Sequence, residues 1–371
     1  MLTILLILIF IRPFISSLAF PCLNSIYSAL LLSFLIIWLA FKKTPLNKFK
    51  NLSYPLILFL LSVIISVIFS NDRLSSLKEL YKYISALSLF LIAAALSWND
   101  KTRVIRTLVL AGFVISLLAI YQSLFGFRHI LDYIAQQRIS DPFVLDYIAR
   151  RRAFLPFVTP NILAGYLIMV IPLTTVYKKG LWLAVPLSIA LLLTRSIGAL
   201  LSLSLALGVY FFLLTRFKKR NAVLLLVISV IIALVFITRS YYAKEHLRPV
   251  FSALMRLNYW KDTLNIIARH PLAGIGIGNF TLVNSRYAHN SYLQIWAEMG
   301  ILGALSFIWL FIAVFKAAVR NNKDWPAAGP MAGLFIANAA FLLHNLLDFS
   351  FYLPEVSFIW WIILGLLASS V

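Results

Sequence analysis

The sequence predicts an all-α, polytopic integral membrane protein. Of its 371 residues, 62% are hydrophobic and only 12% are charged, and the mean hydropathy is +0.94. Soluble domains carry about 25% charged residues, so a soluble globule is excluded. The apolar residues also fall into segments close to the ~20 residues that a helix needs to cross a bilayer.

We interpret residues 1–371 as a single transmembrane domain with about twelve spans. The apolar segments cover residues 2–20, 23–41, 54–70, 79–97, 104–125, 161–177, 181–194, 197–215, 222–238, 291–318, 330–347 and 355–370. Arg12 and Pro13 interrupt the first segment, where they either kink a span or end a shorter one. The N-terminus has no basic region and no clear cleavage site, so we expect the first helix to be retained.

Basic residues are distributed unequally between the two sides of the predicted bundle. The richer side carries Lys42, Lys43, Lys48, Lys50, Lys101, Arg103, Arg106, Lys178, Lys179, Arg216, Lys218, Lys219, Arg220, Lys316, Arg320 and Lys323. The opposite short loops carry Arg73, Lys78 and Arg195, with Lys82 just inside a span. The positive-inside rule therefore predicts that both termini are cytoplasmic. Two long connections, 126–160 and 239–290, then face outside.

The net charge of +21 is only partly explained by topology. Because the basic residues are divided among many loops and form no continuous patch, a nucleic-acid partner is not expected. The excess of Lys and Arg over Asp and Glu in the two outer loops suits an anionic glycan or a phosphorylated lipid; simple attraction to anionic membrane lipids is the alternative. The single cysteine, Cys22, excludes an intrachain disulfide and a cysteine-based metal site.

The first outer loop contains a short repeat, with residues 131–135 and 145–149 both reading Leu-Asp-Tyr-Ile-Ala. An arginine follows each copy at the same offset, Arg138 and Arg152. The copies predict short amphipathic helices on the membrane, which either reflect a local duplication or shape an entry for a lipid. Asn161, at the start of the next span, is either a helix N-cap or a contact to a sugar or phosphate oxygen.

Arg195 occupies a very short turn between two apolar segments at the outer boundary. Ionisable residues in such positions are costly, so they indicate a functional site unless the side chain simply extends to the membrane surface.

The second outer loop predicts a helix over residues 255–269, with apolar side chains at helical spacing and a stop at His270 and Pro271. Glycines 274, 276 and 278 follow. No strand precedes them, so a dinucleotide-binding fingerprint is rejected. This segment is either a phosphate-binding turn or a turn that returns the chain to the membrane.

His289 and Asn290 lie where this polar loop becomes a long apolar helix. A histidine there, with a pKa near neutrality, can accept a proton from an attacking hydroxyl. His344 and Asp348 lie near the outer end of the eleventh segment, where they either support the site or form a helix-to-helix hydrogen bond. Glu298 lies about 13 Å along the helix from His289, which predicts packing or a distant polar contact.

Several of these segments resemble the O-antigen ligase and polymerase superfamily over residues 150–365. The matching motifs are His270–Phe280, Ala288–Gly303, the spacing of Arg256 and Trp260, and Thr159-Pro160-Asn161. Thr159 stands where the family has asparagine. Ile197 stands where the family has an arginine, and Arg195 lies two positions earlier.

The resemblance implies a polytopic, GT-C-like glycosyltransferase fold with a large outer loop, in the bacterial inner membrane. It implies a glycan donor on undecaprenyl pyrophosphate, His289 as the base, and an inverting reaction without metal or cofactor. The implied substrate-binding residues are Arg152, Asn161, Arg195, Arg256 and Asn290, supported by His344 and Asp348. The expected acceptor is lipid A-core, with polysaccharide polymerisation and protein glycosylation as alternatives. A flippase or transporter is disfavoured, because the spans hold few acidic groups and no clear inverted repeat.

Overall fold

The computed structural model describes residues 1–41, 50–138, 142–214, 219–241, 248–321 and 329–368. Within these ranges the chain forms fifteen α-helices and no β-strand. The helices are α1 (Leu2–Ile11), α2 (Pro21–Phe41), α3 (Lys50–Ile68), α4 (Arg73–Ala95), α5 (Trp98–Tyr121), α6 (Phe127–Gln136), α7 (Pro142–Ala149), α8 (Pro160–Leu173), α9 (Leu181–Thr194), α10 (Ile197–Leu214), α11 (Lys219–Tyr241), α12 (Pro249–Arg269), α13 (Ser291–Asn321), α14 (Pro330–His344) and α15 (Pro354–Ala368). The basic connections 42–49, 215–218 and 322–328, which contribute to the predicted orientation, lie outside the described residues.

Four helical stretches are long and apolar enough to cross a membrane, namely Pro21–Phe41, Trp98–Gln136, Asn221–Tyr241 and Ser291–Arg320. Seven shorter apolar helices accompany them: Leu2–Phe14, Leu52–Ile68, Pro160–Val176, Trp182–Thr194, Ile197–Phe212, Pro330–His344 and Pro354–Ala368. The chain is a multi-pass, all-helical membrane protein. Helix α4 belongs to neither group, because Lys78, Glu79 and Lys82 interrupt its apolar character. The count of twelve spans stays a prediction.

The interruption at Arg12 and Pro13 ends a short first helix. Helix α1 stops at Ile11, and a 3-10 turn covers Arg12–Phe14. The Arg12 side chain is buried, where it forms an ion pair of 3.3 Å with Glu355 and donates a 2.8 Å hydrogen bond to Asn24. A buried charge requires such partners. Because α1 ends at Ile11, the Arg12 side chain can contact both of them.

Helices α8 and α15 form the centre of the bundle. Every residue of α15 is buried, as are nearly all residues of α8. Helix α15 packs against α4, and α14 packs against α8 and α10. Helices that are apolar on all sides are enclosed by other helices in this way. The ends of α8, α10 and α14 are therefore held close together.

The connection between α5 and α8 is largely helical. A π-helical turn, Gln122–Gly126, joins α5 to α6 without a break, so the helix continues past the predicted loop boundary at residue 126. Helices α6 and α7 cover the two copies of the repeat, and Phe127, Ile134 and Ile148 pack together in a small cluster.

Helix α13 is interrupted at Gly300, whose backbone has φ 67° and ψ −173°. The interruption leaves backbone groups of α13 free to bind residues 270–280, which we call the glycine segment. The amides of Ile275 and Gly276 donate to the carbonyls of Ala297 (2.9 Å) and Glu298 (3.0 Å), and the Ile301 amide donates to Pro271 (2.9 Å). The amides of Ile275 and Gly276 are thus occupied within the protein, which favours a turn that returns the chain to the membrane over a phosphate-binding turn.

Substituting Gly300 with alanine should lower the yield and thermal stability of the purified protein. A Cβ there would overlap the Leu272 carbonyl and adopt a left-handed φ, a conformation that costs about 1–3 kcal/mol for other residues. Gly208→Ala in α10 is the control, because a Cβ there meets nothing within 4 Å. Equal thermal unfolding midpoints for the two variants would contradict this packing of α13.

Candidate active site

His289 lies immediately before α13 in a left-handed backbone conformation, with φ 53°. Asn290 follows and caps the helix, since its Oδ1 accepts hydrogen bonds from the amides of Tyr292 (3.0 Å) and Leu293 (3.1 Å). Few residues other than glycine adopt this conformation without cost, and such strain is concentrated at functional sites. The Asn290 oxygen is committed to the helix, which leaves its Nδ2 amide for the predicted substrate contact.

The imidazole of His289 lies between two aromatic rings. Tyr259 of α12 stacks on it with ring centroids 5.6 Å apart, and Phe349 meets it edge-on at 4.8 Å. Burial lowers the pKa of His289 to about 4; Asp348 opposes this shift and Arg256 adds to it. The ring is therefore neutral at physiological pH and can accept a proton. Its Nδ1 is buried without a hydrogen-bond partner among the described residues.

Hydrogen bonds join the start of α13 to the segment that follows α14. The Ser291 amide donates to the Asn345 carbonyl (2.9 Å), and the Ser291 hydroxyl reaches both the Asn345 side chain (2.8 Å) and the Asp348 carbonyl (3.1 Å). These contacts bring Asp348 into electrostatic reach of His289.

Asp348 is a buried carboxylate beside His344. The His344 Nε2 lies 3.3 Å from the Asp348 Oδ2, and the Ser350 hydroxyl donates to the same oxygen. Burial raises the pKa of Asp348, but His344 and Ser350 outweigh it and hold the pKa at about 2. The contact between these two side chains lies within one segment, and the hydrogen bond from this segment to α13 is accepted by the backbone carbonyl of Asp348. His344 itself packs closely on Gly165 of α8.

Arg152 and Asn161 meet at the N-terminal end of α8. The Arg152 guanidinium donates to the Thr194 carbonyl (2.7 Å) and to the Asn161 Oδ1 (2.9 Å), and the Ser196 hydroxyl donates to the same Oδ1 (3.1 Å). The N-cap of α8 is Thr159, whose hydroxyl accepts from the Ile162 amide. The N-cap alternative for Asn161 is therefore wrong, because a proline at the next position lets the threonine begin the helix.

Five guanidinium groups come together around this point, and we call them the arginine cluster. They are Arg150, Arg152, Arg195, Arg239 and Arg256. Arg239, near the end of α11, donates to the Arg195 carbonyl (3.2 Å), and Arg256 of α12 donates to the Ser252 hydroxyl (3.1 Å). Arg195 ends α9 with an exposed side chain and φ 50°.

The positive charges of the arginine cluster act on one another. Burial, together with the charges of Arg239, Arg150 and Arg256, lowers the pKa of Arg152 to about 9, while Tyr147 opposes this shift. Burial also lowers the pKa of Arg256, against which Asp348 acts as the nearby carboxylate. Guanidinium groups are in general suited to bidentate binding of phosphate oxygens.

Sequence reasoning proposed Arg152, Arg195 and Arg256 but did not single out Arg150 or Arg239. Arg239 directly follows the ninth apolar segment. A charged residue at the end of a predicted span could have indicated a functional position. In the described part of the chain, no three His, Cys, Asp or Glu side chains come together as metal ligands would.

A comparison with known families matches residues 182–308 to the family described as O-Antigen ligase. No curated protein matches the chain. The matched region, about a third of the chain, contains Arg195, Arg239, Arg256 and His289, whereas Arg152, Asn161 and Asp348 lie outside it. Residues 182–308 of this chain are thus similar to the O-antigen ligase family.

Proposed function

We propose that this protein transfers a glycan from undecaprenyl pyrophosphate to an acceptor hydroxyl on the outer face of the bacterial inner membrane, with lipid A-core as the acceptor. The proposal depends on one observation above all. A neutral, partly buried histidine lies within electrostatic reach of Arg256, whose charge also acts on other members of the arginine cluster. A diphosphate carries the negative charge that such a cluster of guanidinium groups binds.

In this proposal the arginine cluster binds the diphosphate of the donor. Arg256 links the two parts of the site, because its charge acts on both Arg152 and His289. As the glycosidic bond breaks, its electron pair moves to a diphosphate oxygen, and the guanidinium groups stabilise the charge that develops there. This stabilisation requires no metal ion.

His289 acts as the general base. It takes the proton of the acceptor hydroxyl while the acceptor oxygen forms a bond to the anomeric carbon and the bond to the diphosphate breaks. A single displacement of this kind inverts the configuration at that carbon. The ionised Asp348 stabilises the imidazolium that forms, and His344 and Ser350 hold Asp348 in place.

The remaining residues position these groups. Asn161 fixes the guanidinium of Arg152, and Asn290 fixes the start of α13 and hence the backbone of His289. We propose that Arg195 contacts the donor with its exposed side chain, and that the Asn290 Nδ2 contacts the bound glycan.

Product analysis with purified protein tests this proposal. The protein is incubated with a lipid-linked glycan, with and without lipid A-core. We expect a core-linked glycan only when lipid A-core is present. Longer lipid-linked glycans without lipid A-core would identify a polymerase instead, and movement of intact donor across liposomes without any transfer would identify a flippase.

The predicted orientation can be tested by cysteine labelling in intact cells. In a Cys22→Ala background, Val283→Cys should react with a membrane-impermeant thiol reagent and Lys179→Cys should not. Both positions are exposed, and Val283 is 100% exposed, so the membrane and not burial decides the outcome. The reverse pattern would place His289 on the cytoplasmic side, where this proposal fails.

A further inference from the structure

A recess lies beside the active site. Tyr287 lines it and stacks on Phe349, one of the two rings that contact His289. It encloses about 50 Å³ and is open at its mouth, so it has room for several water-sized polar groups of a ligand that extends out of it. Its walls come from α4, the glycine segment, the start of α13 and the N-terminal part of α15. The residues that matter here are Glu79, Lys82, Arg286, Gln294, Glu298 and Tyr352.

Two polar atoms in the recess lack partners among the described residues. They are the Oε2 of Glu298, a side chain that is 2% exposed, and the hydroxyl of Tyr352. Buried polar groups are normally hydrogen-bonded, so an unpartnered pair lining one cavity points to a ligand that supplies the missing partners.

The recess is connected to His289 by hydrogen bonds and by ring contacts. The Gln294 amide donates to the Glu298 Oε1 (3.2 Å), and its carbonyl oxygen accepts from the amide of Ala288 (3.1 Å), the residue before His289. Tyr287, which lines the recess, stacks on Phe349 at 4.1 Å, and Phe349 contacts His289. A ligand in the recess therefore lies next to the group that would accept the proton.

The chemistry of the recess differs from that of the arginine cluster. Glu79 and Lys82 form an ion pair of 2.5 Å, and the carboxyl group of Glu298 and the guanidinium of Arg286 also line the recess. The two carboxyl groups disfavour a diphosphate. Carboxylate, amide and phenol groups among aromatic rings instead match the hydroxyls and apolar faces of a sugar ring.

We propose that the recess is a glycosyl subsite, in which Glu298 and Tyr352 bind the hydroxyls of a sugar unit adjacent to the reacting centre. This inference rests on the proposed function and extends it to a second binding site. The sugar belongs either to the donor glycan or to the acceptor.

Binding is tested first without any transfer reaction. Saturation-transfer NMR with detergent-solubilised protein uses free glucose, galactose, mannose and N-acetylglucosamine as probes. We expect a signal from at least one sugar, weakened about tenfold or more in affinity by Glu298→Gln and about threefold or more by Tyr352→Phe. Tyr54→Phe is the control, because that side chain is 72% exposed on α3.

Competition with inorganic pyrophosphate distinguishes the recess from the arginine cluster. Inorganic pyrophosphate should not displace the sugar, since it is expected to occupy the arginine cluster. The proposal is overturned if no sugar gives a signal, if pyrophosphate displaces the sugar, or if both variants bind as the wild type does. Thermal unfolding midpoints near that of the wild type exclude a folding defect.

Kinetics then identifies the source of the sugar. A raised KM for the lipid-linked glycan in Glu298→Gln assigns the subsite to the donor, and a raised KM for lipid A-core assigns it to the acceptor. Unchanged KM values for both substrates would contradict a subsite. If the wild type transfers no glycan, the proposed function fails, while the NMR result still decides whether the recess binds a sugar.

Discussion

Replacing His289 with alanine should lower the rate of glycan transfer by about 10²–10⁴-fold, the usual effect of removing a general base. The side chain precedes α13 and is only partly buried, so its truncation opens no large cavity in the core. The rate is measured from the core-linked product over time. His270→Ala is the matched control, because His270 is exposed in the same outer segment, and it should transfer at the wild-type rate.

The pH dependence of the wild type provides a second measure of the same group. Because burial lowers the pKa of His289 to about 4, the unliganded protein keeps a neutral imidazole down to that pH. Protonation below this value removes the base, so kcat/KM should be constant near neutrality and fall as the pH drops through about 4. The bound diphosphate favours the imidazolium, so the corresponding fall in kcat should occur at a higher pH. A fall in kcat/KM centred near 6.5 would contradict the buried environment.

Replacing Arg256 with alanine should lower transfer by about 10²–10³-fold, the effect expected for loss of one group that stabilises developing negative charge. Arg256→Lys should recover little of this loss, because an ammonium group cannot form a bidentate contact. Arg269→Ala tests specificity, since Arg269 lies on the same helix with an exposed side chain. Comparable losses in Arg256→Ala and Arg269→Ala would indicate a general effect of charge, and full activity in Arg256→Lys would rule out the bidentate contact.

The positions of most helices and of several helix ends could be predicted from the sequence. Hydropathy located most of the apolar helices, and the stop at His270 and Pro271 is confirmed by the end of α12. The turn at Arg195 likewise separates α9 from α10. These features depend on residues that are close in sequence, which is why periodicity and helix-ending residues suffice to locate them.

Features that depend on distant contacts could not be predicted. The interruption of α13 at Gly300 exists because residues 271–276 bind its backbone. The lowered pKa of His289 results from Tyr259 and Phe349, which enclose the ring from two different segments. Neither contact leaves a local signal in the sequence.

The contacts of Glu298 also depend on residues that the sequence could not place beside it. Its distance along the helix correctly indicated that it does not touch His289. The sequence could not reveal that Gln294, one turn earlier, connects it to the backbone beside His289. The recess that Glu298 lines is enclosed by segments that are distant in the sequence, so it could not be predicted either.

The most direct test of the account separates chemistry from binding in His289→Ala. Equilibrium binding of a fluorescent undecaprenyl-pyrophosphate-linked glycan is measured for this variant and for the wild type, alongside the transfer rate of each. We expect the two dissociation constants to agree within about threefold, since the arginine cluster is intact, while transfer falls by about 100-fold or more. Transfer at the wild-type rate, or a loss of donor binding as large as the loss of transfer, would contradict the assignment of His289 as the base.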